Sequence, residues 1–122
     1  MWLPLVGLLI GIVIGSVFSL QIPAQYSRYT AMAILAALDS LLGALRAELQ
    51  GEYDNWIFVT GFFGNAILAA ALTFLGDRMG VDLYLAAIVA FGVRLFQNLA
   101  IVRRILLEAW RGNRRQGDAA TG

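Results

Sequence analysis

The chain has 122 residues, 60% hydrophobic and only 14% charged, whereas soluble domains run at about 45–50% apolar and about 25% charged. That balance argues against a soluble domain and for an integral membrane protein. Cysteine and histidine are both absent, which removes disulfides, thiolate nucleophiles, the common zinc sites and the readiest general base. No catalytic residue, cofactor, metal or nucleic-acid partner is therefore expected. The net charge of +1 conceals an uneven distribution: no charged side chain precedes Arg28, and five of the nine basic residues, all arginine, lie at or beyond Arg103.

A bilayer core about 30 Å thick needs about 20 mostly apolar residues to span it as a helix. Four stretches meet or approach that length, so the predicted fold is all-α, a four-helix transmembrane bundle with short loops. The first, about residues 3–20, carries no charge and has Pro4 where a first turn tolerates proline. A cleaved signal peptide is the competing reading, but the stretch lacks a basic start and a small-x-small cleavage site. The second, about 29–47, is the weakest, because Asp39 interrupts it and Arg46 lies near its end; a re-entrant or surface helix is the alternative there. The third, about 56–76, is strong. The fourth, about 83–107, carries Arg94, Gln97 and Asn98 before the paired Arg103 and Arg104. The connections at 21–28, 48–55 and 76–82 leave no room for a soluble domain. Residues 1–110 are thus expected to form one transmembrane domain, and 111–122 a basic, disordered cytoplasmic tail.

Orientation follows from the arginines, which concentrate on the cytoplasmic side of membrane proteins. Four spans place Arg46, Arg103, Arg104, Arg111, Arg114 and Arg115 inside and Arg28 and Arg78 outside, with both termini cytoplasmic in a bacterial inner membrane. Trp2, Trp56 and Trp110 then share the inner interface, and Tyr26, Tyr29 and Tyr84 the outer one, as the amphipathic rings prefer.

Charges near the bilayer centre are costly, about 2.5–3.5 kcal/mol on insertion scales, and they pair or face a cavity. Counting about 1.5 Å per residue, Asp39 and Arg94 both lie about 15–17 Å deep, and Asn65 reaches a similar depth. An Asp39–Arg94 ion pair braced by Asn65, Gln97 and Asn98 is therefore predicted inside the bundle. Such a cluster serves either as interhelical glue, which fixes register more than it adds stability, or as an ion, proton or polar-solute site. Gly7, Gly11 and Gly15 form a small-residue ridge that lets another helix approach closely, within the monomer or in a homo-oligomer. Ala33–Gly43 and Ala66–Gly76 echo one another on antiparallel helices, a pattern left by inverted repeats and also reached by alanine- and leucine-rich composition alone. Arg103, Arg104, Arg111, Arg114 and Arg115 are topological anchors open to anionic lipid headgroups or to a cytoplasmic protein partner.

The run FFGNAILAAALTFLGDRMGVDLYLAAIVAFGVRLFQNLAIVRR at 62–104, with LAALDSLLGALRA at 35–47 and the opening MWLPLVGLLIGIVIG, resembles the bacterial small basic protein family. The resemblance covers nearly the whole chain up to about Trp110. It implies a multi-pass membrane protein encoded among cell-division and cell-wall genes, and it supplies no activity. The near-neutral balance here departs from the family's name. Two functions remain in view. One is a non-enzymatic scaffold or adaptor linked to division or envelope assembly, with a division or envelope protein as partner. The alternative is a transporter or channel component built around the midplane cluster, which needs a homo-oligomer or a partner to enclose a path.

Overall fold

The computed structural model describes residues 1–18 and 21–122, and the described residues are helical with short connections. In chain order they form α1 (Trp2–Val17), a 3₁₀ turn (Ala24–Tyr26), α2 (Ser27–Leu49), α3 (Asn55–Met79) and α4 (Tyr84–Thr121). Local chemistry sets these boundaries. Asp54 caps α3, its Oδ1 accepting from the backbone N–H groups of Trp56 at 2.8 Å and Ile57 at 3.1 Å, two donors that a helix start leaves without partners. Gly80 closes α3 at φ +68°, a left-handed conformation that glycine adopts without penalty. The Val81 N–H then returns to the Gly76 carbonyl at 3.0 Å. A Cβ on Gly76 would stand 2.5 Å from the Val81 carbonyl oxygen and 3.0 Å from the Leu83 nitrogen, so this turn depends on the absence of a side chain there.

α2, α3 and α4 are long and apolar enough to cross a membrane; α1 is apolar but shorter. The second segment, ambiguous by sequence, is a continuous helix of 23 residues and the centre of the bundle. It packs along both α3 and α4, which meet each other far less, while α1 packs extensively against none of them. Small residues make the close contacts: Ala36 on α2, Ala69 on α3 and Ala87 on α4 are buried with Met32 and Phe91, as expected where packing rather than water exclusion brings helices together. The rest of the surface is densely apolar, with Leu9, Ile12, Ile57, Ile67, Val89 and Phe96 all well exposed. Exposure on that scale marks a lipid or partner surface rather than a water-facing one, and the whole is compatible with a multi-pass membrane protein.

The bundle has two distinct ends. At one, the Arg28 guanidinium lies 3.3 Å from Asp77, 3.5 Å from Asp82 and 4.8 Å from the centre of the Tyr84 ring, tying the start of α2 to the α3–α4 turn. At the other, the Met1 amino nitrogen lies 3.5 Å from Glu48. Met1 and Arg28 therefore stand at opposite ends of α2. With 16 residues, α1 is about 24 Å long. The sequence placed its end at residue 20; the helix stops at Val17 with Phe18 extended, and residues 19 and 20 lie outside the described ones.

Two further expectations are corrected. Residues 111–122 are not a disordered tail, because α4 continues through Thr121. The stretch contains no proline, its arginine, alanine and glutamine offset Gly112 and Gly117, and it gains an i,i+4 contact where the Arg114 guanidinium sits 4.8 Å over the Trp110 ring. The glycine ridge has no close partner among the described residues of the chain: nothing there lies within 4 Å of a Cβ built on Gly7, Gly11 or Gly15. Gly7 and Gly11 instead border a 560 Å³ cleft, faced across by Leu41 of α2 and Phe58 and Phe62 of α3.

Candidate functional site

The predicted ion pair is present. An Arg94 side-chain nitrogen lies 3.2 Å from Oδ2 of Asp39, and the partners differ sharply in exposure: the Asp39 side chain is fully buried, while that of Arg94 is 54% exposed. Helix geometry explains the asymmetry. Asp39 falls on the α2 stripe Met32–Ala36–Asp39–Ala44, which faces the other helices. On α4 the buried stripe is Ala87, Phe91, Asn98 and Val102, and Arg94 stands at its edge, reaching inward with its head.

The expected bracing does not assemble as predicted. Asn98 accepts from the Arg46 guanidinium at 3.2 Å, a second polar contact between α2 and α4 located toward the Glu48 end. Gln97, one position earlier, is turned to the exposed face. Asn65 lies nearby on α3 and lines the cavity described next. The 100° step between neighbours on a helix separates Gln97 from Asn98.

Beside the pair, a cavity of about 240 Å³ opens between α2 and α3, lined by Asp39, Ser40, Asn65 and Arg94 toward its interior and by Ala47, Glu52, Tyr53 and Asp54 toward the α2–α3 loop. Gly43 and Gly61 keep its walls low, and Phe58 and Phe62 form its aromatic side. Their rings continue a ladder from Tyr53, with centroids 6.3 Å and then 5.9 Å apart. Four buried polar atoms have no hydrogen-bond partner: both Asp39 carboxylate oxygens, the Ser40 hydroxyl and the Tyr53 hydroxyl. Each such atom left unmatched costs about 1–3 kcal/mol, and more for a charged group. Burial, and then the nearby Glu48 and Asp54 carboxylates, push the Tyr53 hydroxyl above its ordinary pKa, so it remains a neutral O–H able to donate or accept. The sequence revealed the carboxylate. It did not reveal Ser40 and Tyr53, whose partnerless hydroxyls become visible only once α2 and α3 are set side by side.

The five arginines of the α4 extension form a separate feature. At 3.6 residues per turn, Arg103, Arg104, Arg111, Arg114 and Arg115 fall within about 120° of one helix face. All five are exposed. α4 has 38 residues, so it is about 57 Å long, nearly twice the about 30 Å of a bilayer core.

Among protein families, residues 22–107 match the one described as "Protein of unknown function (DUF1290)". The chain is also 61% identical over 110 residues to the "Small basic protein" of Bacillus subtilis (strain 168), covering 90% of this chain and 91% of that one. The chain belongs to the small basic protein family. More distant members include uncharacterised proteins of Mycobacterium bovis and of Mycobacterium tuberculosis H37Rv, each 41% identical over 104 residues and covering 84% of this chain and 86% of theirs. No solved structure matches the chain. The family match spans Asp39, Ser40, Tyr53, Asn65 and Arg94, so the cavity belongs to the family segment, while Arg111, Arg114 and Arg115 lie beyond it. Among the described residues no group of acidic side chains is placed to hold a metal ion.

Proposed function

We propose that this small basic protein is a non-enzymatic membrane scaffold or adaptor that holds an arginine-faced helix at the cytoplasmic surface for a partner in division or envelope assembly. The observation that carries this reading is the unbroken run of α4 through Thr121. A helix rooted among membrane-embedded neighbours presents its charges at fixed spacing, whereas a loose tail would present them as a diffuse cloud. The arginine count sets the orientation, with the Glu48 end and the α4 extension inside and the Arg28 clasp outside. The link to division and envelope assembly is the setting that the family resemblance implies. The apolar exterior, including the unpartnered face of α1, offers further surface for a membrane partner or a second copy.

The test is affinity purification of the tagged protein from native membranes after mild crosslinking, with mass spectrometry of the co-purifying proteins. Recovery of division or envelope-synthesis proteins, lost when Arg111, Arg114 and Arg115 are replaced by glutamine, is the expected result. Recovery of the protein alone, as a defined oligomer, would sink the adaptor reading. Binding to anionic but not neutral vesicles, with no protein recovered, would reassign the arginines to lipid.

A transporter or channel component is the second reading, favoured by the cavity that extends from the α2–α3 loop to Asp39. The single chain encloses no through-path in that reading, so a homo-oligomer or partner completes it.

A further inference from the structure

The cavity between α2 and α3 has the chemistry of a ligand site, and its charge and shape narrow the ligand. Its buried end holds one carboxylate, Asp39, with neither oxygen hydrogen-bonded, and the partnerless hydroxyl of Ser40; the partnerless Tyr53 hydroxyl lies toward the loop end. All four orphan atoms are able to accept a hydrogen bond, and two can do nothing else. The mouth is acidic: Glu52 and Asp54 line it, and Arg94 is the one cation among the lining residues. An anion entering there meets three carboxylates and is repelled. A divalent metal finds a single buried carboxylate, already opposed by Arg94, and no acidic cluster, which is too little charge for a hard dication. The remaining wall is aromatic and aliphatic, from Phe58, Phe62, Ile57 and Ala44.

We propose that this cavity binds a small organic monocation, a primary alkylammonium, with its ammonium group at Asp39 and its hydrocarbon body against Tyr53, Phe58 and Phe62. An ammonium carries three N–H donors and no acceptor, the complement of the orphan atoms. Its charge also gains from aromatic faces, which attract cations. The space of about 240 Å³ holds a short alkyl chain. Arg94 is the built-in competitor. It meets Asp39 through one 3.2 Å contact and is half-exposed, so its head can yield the carboxylate by swinging along its flexible stem. The site is independent of the arginine arm and requires no transport.

The test uses the full-length protein in lipid nanodiscs and equilibrium dialysis of radiolabelled n-butylammonium, with protein-free nanodiscs as the baseline. One saturable site per chain is expected, weakened at least tenfold by Asp39→Asn and about threefold to tenfold by Ser40→Ala. Arg94→Gln should move binding the other way, tightening it severalfold. Because the two last variants change affinity in opposite directions, they decide the matter even if Asp39→Asn fails to fold. Butyrate should not compete, and tetramethylammonium, which lacks N–H donors, should compete at least tenfold less well than unlabelled n-butylammonium. Binding no greater than to empty nanodiscs would overturn the proposal. So would saturable binding indifferent to Ser40→Ala and Arg94→Gln, or equal competition by tetramethylammonium.

Discussion

The Arg94 guanidinium stands 3.2 Å from an Asp39 carboxylate that is wholly buried, while its own side chain remains more than half exposed. The two partners of this pair therefore lose unequally when separated. Arg94→Ala leaves a charge stranded in the bundle, and it is expected to cost about 3 kcal/mol, the lower end of the range for breaking a buried pair. Asp39→Ala leaves an arginine that can turn outward, and about 1 kcal/mol or less is expected, as for exposed pairs. The double variant should return close to the Asp39→Ala value. Unfolding by SDS titration of the purified protein in detergent measures all three, and equal costs for the two single variants would contradict the asymmetry.

The α3–α4 turn yields a sharper contrast. Gly76→Ala drives a Cβ to 2.5 Å from the Val81 carbonyl oxygen, backbone that cannot step aside cheaply, and a loss of about 1–3 kcal/mol is expected. Gly11→Ala meets nothing within 4 Å, and its effect on the isolated monomer should stay within about 0.5 kcal/mol. The same unfolding assay compares the pair. A large loss from Gly11→Ala would show that the glycine face is occupied by a neighbouring chain.

Ala36 is 1% exposed at the centre of the small-residue contact. Ala36→Leu adds three heavy atoms between α2 and its neighbours. An overpacking cost of about 1–3 kcal/mol is expected, with retained helicity by circular dichroism. Lost helicity would mean that the contact guides insertion itself rather than the packing of helices already formed.

The Arg28 clasp should be worth little despite its several partners. Arg28, Asp77 and Asp82 are all at least 42% exposed, and exposed pairs contribute about 0.2–1 kcal/mol. Arg28→Ala should lower stability by no more than that in low salt, and the difference should shrink as salt is raised. A large, salt-insensitive loss would instead place the clasp in a dry environment.

Helix number, fold class and the Asp39–Arg94 contact were legible in the sequence because each rests on one dimension: apolar run length, or depth along a helix. The ranking of the helices was not. The first segment carries no charge, and the helix it forms is exposed along most of its length, with Pro4 as its buried residue. The segment with Asp39 looked weakest, and it is the central helix, because a carboxylate survives in a membrane only where other helices cover it. Rotation about the helix axis was legible only to about one residue: Asn98 faces the bundle but accepts from Arg46 rather than bracing the Asp39–Arg94 pair, and Gln97 faces outward. Ser40 and Tyr53 had no signature at all, since a lone hydroxyl acquires meaning from the helix opposite. The tail was misjudged from its polarity, which on the end of an established helix does not prevent the helix from continuing.

α4 is a single rod from the Tyr84 clasp to Thr121, with Arg94 and Arg111 about 26 Å apart along it. A rod has no joint at which to absorb a twist. The Arg94 edge of the polar cavity and the arginine face beyond Arg103 are thus carried by one uninterrupted helix, which holds their spacing fixed.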